Sequence, residues 1–275
     1  MSGRAEPRAR VVPLISVERL DGLAIVRLDR ADKRNAMSFA LLRELLDCGR
    51  RLARDRTLRA VILAGAGESF SAGIDLKDIG DPRNRRFAFW ELIKPGPSLF
   101  QRAVLVWQSL PVPVIAALHG HCLGAGMQLA LAADLRIATP DCQLSIMEAR
   151  WGLVPDMGIT HTLRGLVAPD VAAELVYSAR VIDGEQAREL GLVTHVASDP
   201  LAAAHTLATE FATRSPDALL AAKRVLHAMH QASPARALRA EKRWQLRLLL
   251  GRNFPIARRR GAAASDEAFE PRQYR

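Results

Sequence analysis

An α/β protein with mostly parallel strands is the fold that this sequence predicts. Short apolar and β-branched runs, RAVILAG at 59–65, PVPVIAALHG at 111–120 and LRIAT at 135–139, each stop at a glycine or a polar turn. Segments with apolar residues at helical spacing lie between them, and such alternation marks helices layered on a parallel sheet. From Pro200 onward the reading is almost wholly helical, so a helical C-terminal part follows the α/β core.

The elements follow in order. ISVERLDGLAIVRLDR at 15–30 is two short alternating runs joined at Asp21-Gly22, a strong hairpin signal. Ser38 is placed to cap a helix over FALLRELLDCGRRLARD, with apolar residues at helical spacing to about Arg54. RAVILAG is then a buried strand. Segment 80–105 is less definite: Phe87, Phe89 and Trp90 suit an acyl pocket, and an amphipathic helix packed on the core suits them equally. PVPVIAALHG is the next strand, GMQLALAAD a helix, and LRIAT a strand again. The C-terminal helices break near Ser215-Pro216 and Ser233-Pro234. The expected divisions are a disordered N-terminus at 1–12, a core domain at 13–198, a helical domain at 199–256 and a basic tail at 257–275.

With 275 residues, 49 % hydrophobic and 25 % charged, the chain has an ordinary globular composition and enough length for one sizeable core. No apolar run approaches the roughly 18 residues of a membrane span. The opening MSGRAEPRAR is polar and basic, and the expected location is cytoplasmic. Cys48, Cys122 and Cys142 lack metal-like spacing, as do the seven histidines, so reduced buried thiols and no metal are expected. The net charge of +10 invites a nucleic-acid reading, but aromatics are only 5 % and much of the excess lies in the first ten residues and at 252–260. A small polyanion carrying several phosphates is served by the same charge, and nucleic acid is not the expected partner.

Two stretches place small residues after a strand and ahead of a helix: SFSAGIDLKD at 69–78 and LGAGMQL at 123–129. Glycine lets a ligand approach the main chain, and free N–H groups there favour a negative oxygen. Neither fits G-x-G-x-x-G, because the third glycine after Gly124 and Gly126 is Leu129, so a dinucleotide site is not expected. Two such turns suggest paired N–H donors on one oxygen, an oxyanion hole.

SAGIDLKD, then PVIAALHGHCLGAGMQLALAADLRIA, then LSIMEARWGLVPDMG, in that order, strongly resemble the enoyl-CoA hydratase/isomerase superfamily, the crotonases. The likeness runs from the hairpin and LDRADKRNAM to VIDGEQARELGLVTHV. It implies a crotonase-like ββα spiral core with a helical C-terminal trimerisation region, in a homotrimer or homohexamer. It implies an acyl-CoA substrate, with no cofactor beyond the coenzyme A that the substrate carries. It makes the backbone N–H groups of Ile74 and Ala125 the oxyanion donors, and assigns substrate or coenzyme A contacts to Arg34, Ala72, Lys77, Gly124 and Gln128.

In family members that hydrate a double bond, two glutamates hold a water, and they would stand at 128 and 148. Glu148 is present; the other position is Gln128, which cannot accept and return a proton. A second acid, Asp156, follows Glu148 by eight positions across a Gly-Leu-Val-Pro turn, the spacing of the proton-transfer pair in the family's dienoyl-CoA isomerases. Those isomerases also carry an Asp where Gln128 stands. Simple enoyl-CoA isomerases use one glutamate at the position of Glu148.

Double-bond isomerisation of an enoyl- or dienoyl-CoA is therefore expected, with Glu148 and Asp156 catalytic; enoyl-CoA hydration is the nearest alternative. An apolar pocket from Trp151, Leu153 and Met157 is expected to poise the acids. The structural alternatives are a turn carboxylate for Glu148 and a cap on the following helix for Asp156; Asp134 is expected to be structural. RNA binding, or a catalytically silent acyl-CoA-binding paralogue, are the alternatives from other classes.

Overall fold

The computed structural model describes residues 13–263 and 265–274. The 1–12 segment, expected to be disordered, lies outside the described residues. A six-stranded sheet runs in the order β1 (Ile15–Leu20), β2 (Leu23–Leu28), β3 (Ala60–Gly65), β4 (Val114–Leu118), β6 (Leu135–Ala138), β8 (His195–Val196). Only β1 and β2 are antiparallel; the remaining pairs are parallel. Asp21 and Gly22 both take positive φ, the conformation that a two-residue hairpin matched to strand twist requires.

Buried side chains leave both faces of β3 in alternation. Val61 and Leu63 join the larger core with α1 (Phe39–Arg54) and α4 (Leu99–Gln108), while Ala60, Ile62 and Ala64 face α9 (Pro200–Ala212). A strand covered on both sides has no polar face, which is why it reads as a continuous apolar run. Ser38 caps α1 as expected, its hydroxyl accepting from the Leu41 N–H. Cys48, Cys122 and Cys142 are buried and unpaired.

Two expected divisions move. Ala204 and Ala208 of α9 bury against the sheet, so the packing unit does not end at 198 but extends to the break near Ser215. The expected basic tail at 257–275 begins inside α12 (Asn253–Ala263), and the described stretch beyond folds back. Arg272 is 1 % exposed, bonding through its guanidinium to the Asp55 carbonyl at 3.0 Å.

Asp217, at the start of α10 (Pro216–Gln231), gathers this returning segment. It is 2 % exposed and accepts from Asn253 Nδ2 at 2.7 Å and from the Gln273 main chain at 2.8 Å. Asp217→Ala removes the acceptor shared by those donors and is expected to cost about 2 kcal/mol. A lower urea midpoint checks this; an unchanged midpoint removes the role.

Small strands position the functional turns. β5 (His121–Leu123) pairs in parallel with β7 (Gln143–Ser145), forming a second, two-stranded sheet. β5 leads directly into α5 (Ala125–Leu131), and β7 leads toward Glu148.

Candidate active site

The two small-residue turns meet. Ser71 donates its N–H to His121 O at 2.8 Å and accepts from Leu123 N–H at 3.0 Å, a parallel bridge alongside β5. On the other side Met37 N–H donates to Gly73 O at 2.7 Å, and Asp75 N–H to Met37 O at 3.0 Å. The 71–75 segment is thus held by bridges on both sides, to β5 at Ser71 and to Met37 at Ile74. Gly73 has φ +97°, and a Cβ there would sit 2.9 Å from the Leu123 carbonyl oxygen and 3.7 Å from the Ala125 nitrogen. Only a residue without a side chain permits so close an approach.

This bonding leaves two donors over. Gly124 N–H is taken by Ser145 O and Gly73 N–H by Ser71 Oγ. Among the described residues, no acceptor takes the N–H of Ile74 or of Ala125. A main-chain N–H away from water is normally paired, so two free ones on abutting turns are available to a ligand oxygen.

Glu148 opens a short 3-10 turn, Glu148–Trp151. Its Oε1 accepts from Gln128 Nε2 at 2.7 Å and lies 3.5 Å from where a Cβ on Gly124 would be, beside the second turn. Its Oε2 is buried with no partner among the described residues. Burial pushes the carboxyl above its ordinary range; the Gln128 hydrogen bond opposes this, and the negative charge of Asp156 adds to it.

Asp156 stands at the open side of the site. Its residue surface is exposed, yet protein crowds the carboxyl enough for desolvation to raise its pKa also. It does not cap the next helix: α6 (Ile159–Thr162) begins after Gly158, with no side-chain cap. Glu148 is likewise no mere turn carboxylate, since its side chain bonds across to α5.

The remaining expected contacts divide. Arg34 and Lys77 are exposed, and no hydrogen bond or ion pair from a described residue engages either side chain. Arg34 adjoins Ala72, whose N–H donates to the Arg34 carbonyl at 2.9 Å. Gln128, grouped by sequence with the substrate contacts, is 1 % exposed, with its carboxamide oxygen accepting from Met157 N–H at 2.8 Å. Both ends of the amide are occupied by protein.

The expected apolar pocket is also different. Met157 is buried, but Trp151 and Leu153 are 60 % and 61 % exposed. In segment 80–105, Phe87 packs edge-on against Phe39 at 5.8 Å, whereas Phe89 and Trp90, on α3 (Pro82–Ile93), face outward. Asp134 is structural, accepting from Val114 N–H at 2.8 Å and pairing with buried Lys223 at 2.7 Å. A cavity of about 380 Å³ is lined by both members of that pair and by none of Ile74, Ala125, Glu148 or Asp156. Among the described residues, no three His, Cys, Asp or Glu side chains are placed to share a metal ion.

Sequence reasoning missed Ser71, whose hydroxyl shapes the first turn, and named Met157 for its side chain when its main-chain N–H is what binds Gln128. A partner 29 positions from Gln128 leaves no local signal.

The family model described as enoyl-CoA hydratase/isomerase matches residues 18–249. The chain belongs to that family. A mitochondrial Delta(3,5)-Delta(2,4)-dienoyl-CoA isomerase from Mus musculus is 37 % identical over 210 residues, covering 72 % of this chain. The chain spans 63 % of the length of that relative. Mouse mitochondrial methylglutaconyl-CoA hydratase is 32 % identical over 209 residues, 74 % of this chain and 65 % of the relative. Among solved structures, an enoyl-CoA hydratase from Bacillus anthracis superposes with TM-score 0.86 at 29 % identity, over 94 % of this chain and 99 % of that one. The enzyme family and the mixed α/β fold with its helical C-terminal region thus agree with the sequence expectation.

Proposed function

We propose that this protein isomerises a double bond in an enoyl- or dienoyl-CoA thioester. The Ile74 and Ala125 N–H groups hold the thioester oxygen while it carries enolate charge. Glu148 removes the proton beside the thioester, and Asp156 serves the far end of a conjugated system, so one proton leaves and one returns with no water consumed. Arg34 and Lys77, exposed cations flanking the first turn, meet the phosphates of coenzyme A.

The observation that carries this reading is the asymmetry around Glu148. Oε1 is held by Gln128 beside the turn that bears a free N–H, and Oε2 is buried without a partner among the described residues. A carboxylate pair holding a water is not available, because the amide at 128 exchanges no proton. The likeness to the mouse dienoyl-CoA isomerase supports the same choice. Hydration is the second reading, favoured by the hydratases named among the relatives and solved structures.

Purified protein given 3,5-dienoyl-CoA and, separately, 2-enoyl-CoA tests the choice. Conjugation of the dienoyl substrate, read by absorbance, with slow or no hydration of the enoyl substrate is expected. Rapid hydration without isomerisation overturns it.

Assembly through the C-terminal helices into a trimer or hexamer is part of the proposal. It is supported by the exposed Leu226 and Met229 on α10 and by Leu238, Leu246 and Leu249 on α11 (Pro234–Leu249).

A further inference from the structure

We propose that Gln128 is a positioning residue whose carboxamide joins Glu148 to the Met157 main chain, so that the Glu148 carboxylate is fixed beside the Gly124 turn and Asp156 is held at a fixed place relative to it. The inference rests on the reading of Glu148 as the base. It adds a device that the two-acid mechanism alone does not contain.

The orientation of the amide follows from its surroundings. The Met157 N–H is an unambiguous donor, so the Gln128 atom facing it at 2.8 Å must be the carbonyl oxygen. The NH2 group then points at Glu148 Oε1, 2.7 Å away, and donates. Glu148 is left with one bonded oxygen and one buried, unpartnered oxygen. A donor on the charged form favours ionisation, offsetting part of the burial that disfavours it. The same amide fixes the 152–158 loop, because Met157 directly follows Asp156.

A glutamate at 128 cannot replace this arrangement. It would accept from Met157 equally well, but it would face Glu148 oxygen to oxygen at hydrogen-bond distance, and the pair would have to share a proton. Leucine would fill the buried space and make neither bond. Three side chains of similar size therefore separate the two functions: glutamine makes both bonds, glutamate keeps the loop bond but couples its titration to Glu148, and leucine makes neither.

Few other charges face Glu148. α5 carries no ionisable side chain, β5 carries His121 bonded to Ser69 Oγ at 3.0 Å, and the 152–158 loop carries Asp156. Arg150, on the turn that Glu148 opens, is exposed. A changed titration of Glu148 on substitution at 128 thus reports the lost amide.

The test uses Gln128→Leu and Gln128→Glu, reading the Glu148 carboxyl titration by 13C NMR and amide exchange at Met157 in the resting protein, together with kcat and KM. In the leucine variant the Glu148 titration is expected to move upward, and Met157 to exchange at least about tenfold faster. Its kcat is expected to fall with little change in KM. In the glutamate variant Met157 is expected to stay protected while Glu148 titrates in two coupled steps. Unchanged Glu148 titration and unchanged Met157 exchange in the leucine variant overturn the proposal. Because both readings are made without substrate, they stand or fall separately from the isomerase assignment. Should the leucine variant fail to fold, the coupled titration of the glutamate variant decides alone: a single unshifted step sinks the idea.

Discussion

Glu148→Gln is expected to lower kcat by about 10²–10⁴-fold, the usual contribution of a positioned acid or base. The dissociation constant of a non-reacting acyl-CoA should change by no more than about twofold, since uniform binding is not what the substitution removes. The amide fills the same volume, and its oxygen still accepts from Gln128 Nε2, so the turn geometry survives. What it lacks is an oxygen that takes up a proton. The pH dependence follows with a definite sign. Burial raises the Glu148 pKa, and the base works only when ionised, so wild-type kcat/KM should climb with rising pH through a value above the ordinary carboxylate range. That limb should vanish in the glutamine variant. Full turnover in the variant would place the base elsewhere, with Asp156 the first residue to test.

How much of this site could be read from sequence depends on where each partner lies in the chain. The turn residues were legible because their chemistry is local: Asp21-Gly22 supplies the positive φ of a hairpin, and Ser38 caps its own helix. Strands β3 and β4 were legible because burial on both faces makes an apolar run. β5 and β7 were not, being three residues each, too short for any period to register. Arg272 reads as a solvated charge in a basic tail, and its buried position depends on carbonyls more than 200 residues away. Trp151 and Leu153 read as pocket lining because apolar residues near an acid suggest it, but a side chain's facing is fixed by the loop, not by its polarity. The pairing of Ile74 with Ala125 came from resemblance, and the close approach of Gly73 to the second turn is visible only in three dimensions. Gln128 shows the limit most clearly: the residue type excluded a second acid, while its actual task needed the position of a main-chain N–H.

Gly73→Ala should then be the most damaging change that touches no titrating group. At φ +97° any L-residue is strained by about 1–3 kcal/mol, and the added methyl would lie 2.9 Å from the Leu123 carbonyl oxygen, a main-chain atom that cannot swing aside. Either the 71–75 segment withdraws or the Leu123–Ala125 turn does. Both movements separate the Ile74 and Ala125 N–H groups, and loss of one oxyanion donor costs about 3–4 kcal/mol of barrier. A fall in kcat/KM of about 10³-fold is expected, with the Glu148 titration unmoved because its partner Gln128 is untouched. Gly80→Ala is the matched control: nothing lies within 4 Å of a Cβ there, and φ is not positive, so turnover should stay at the wild-type level. Undiminished turnover in Gly73→Ala would mean that the two turns do not act on one oxygen.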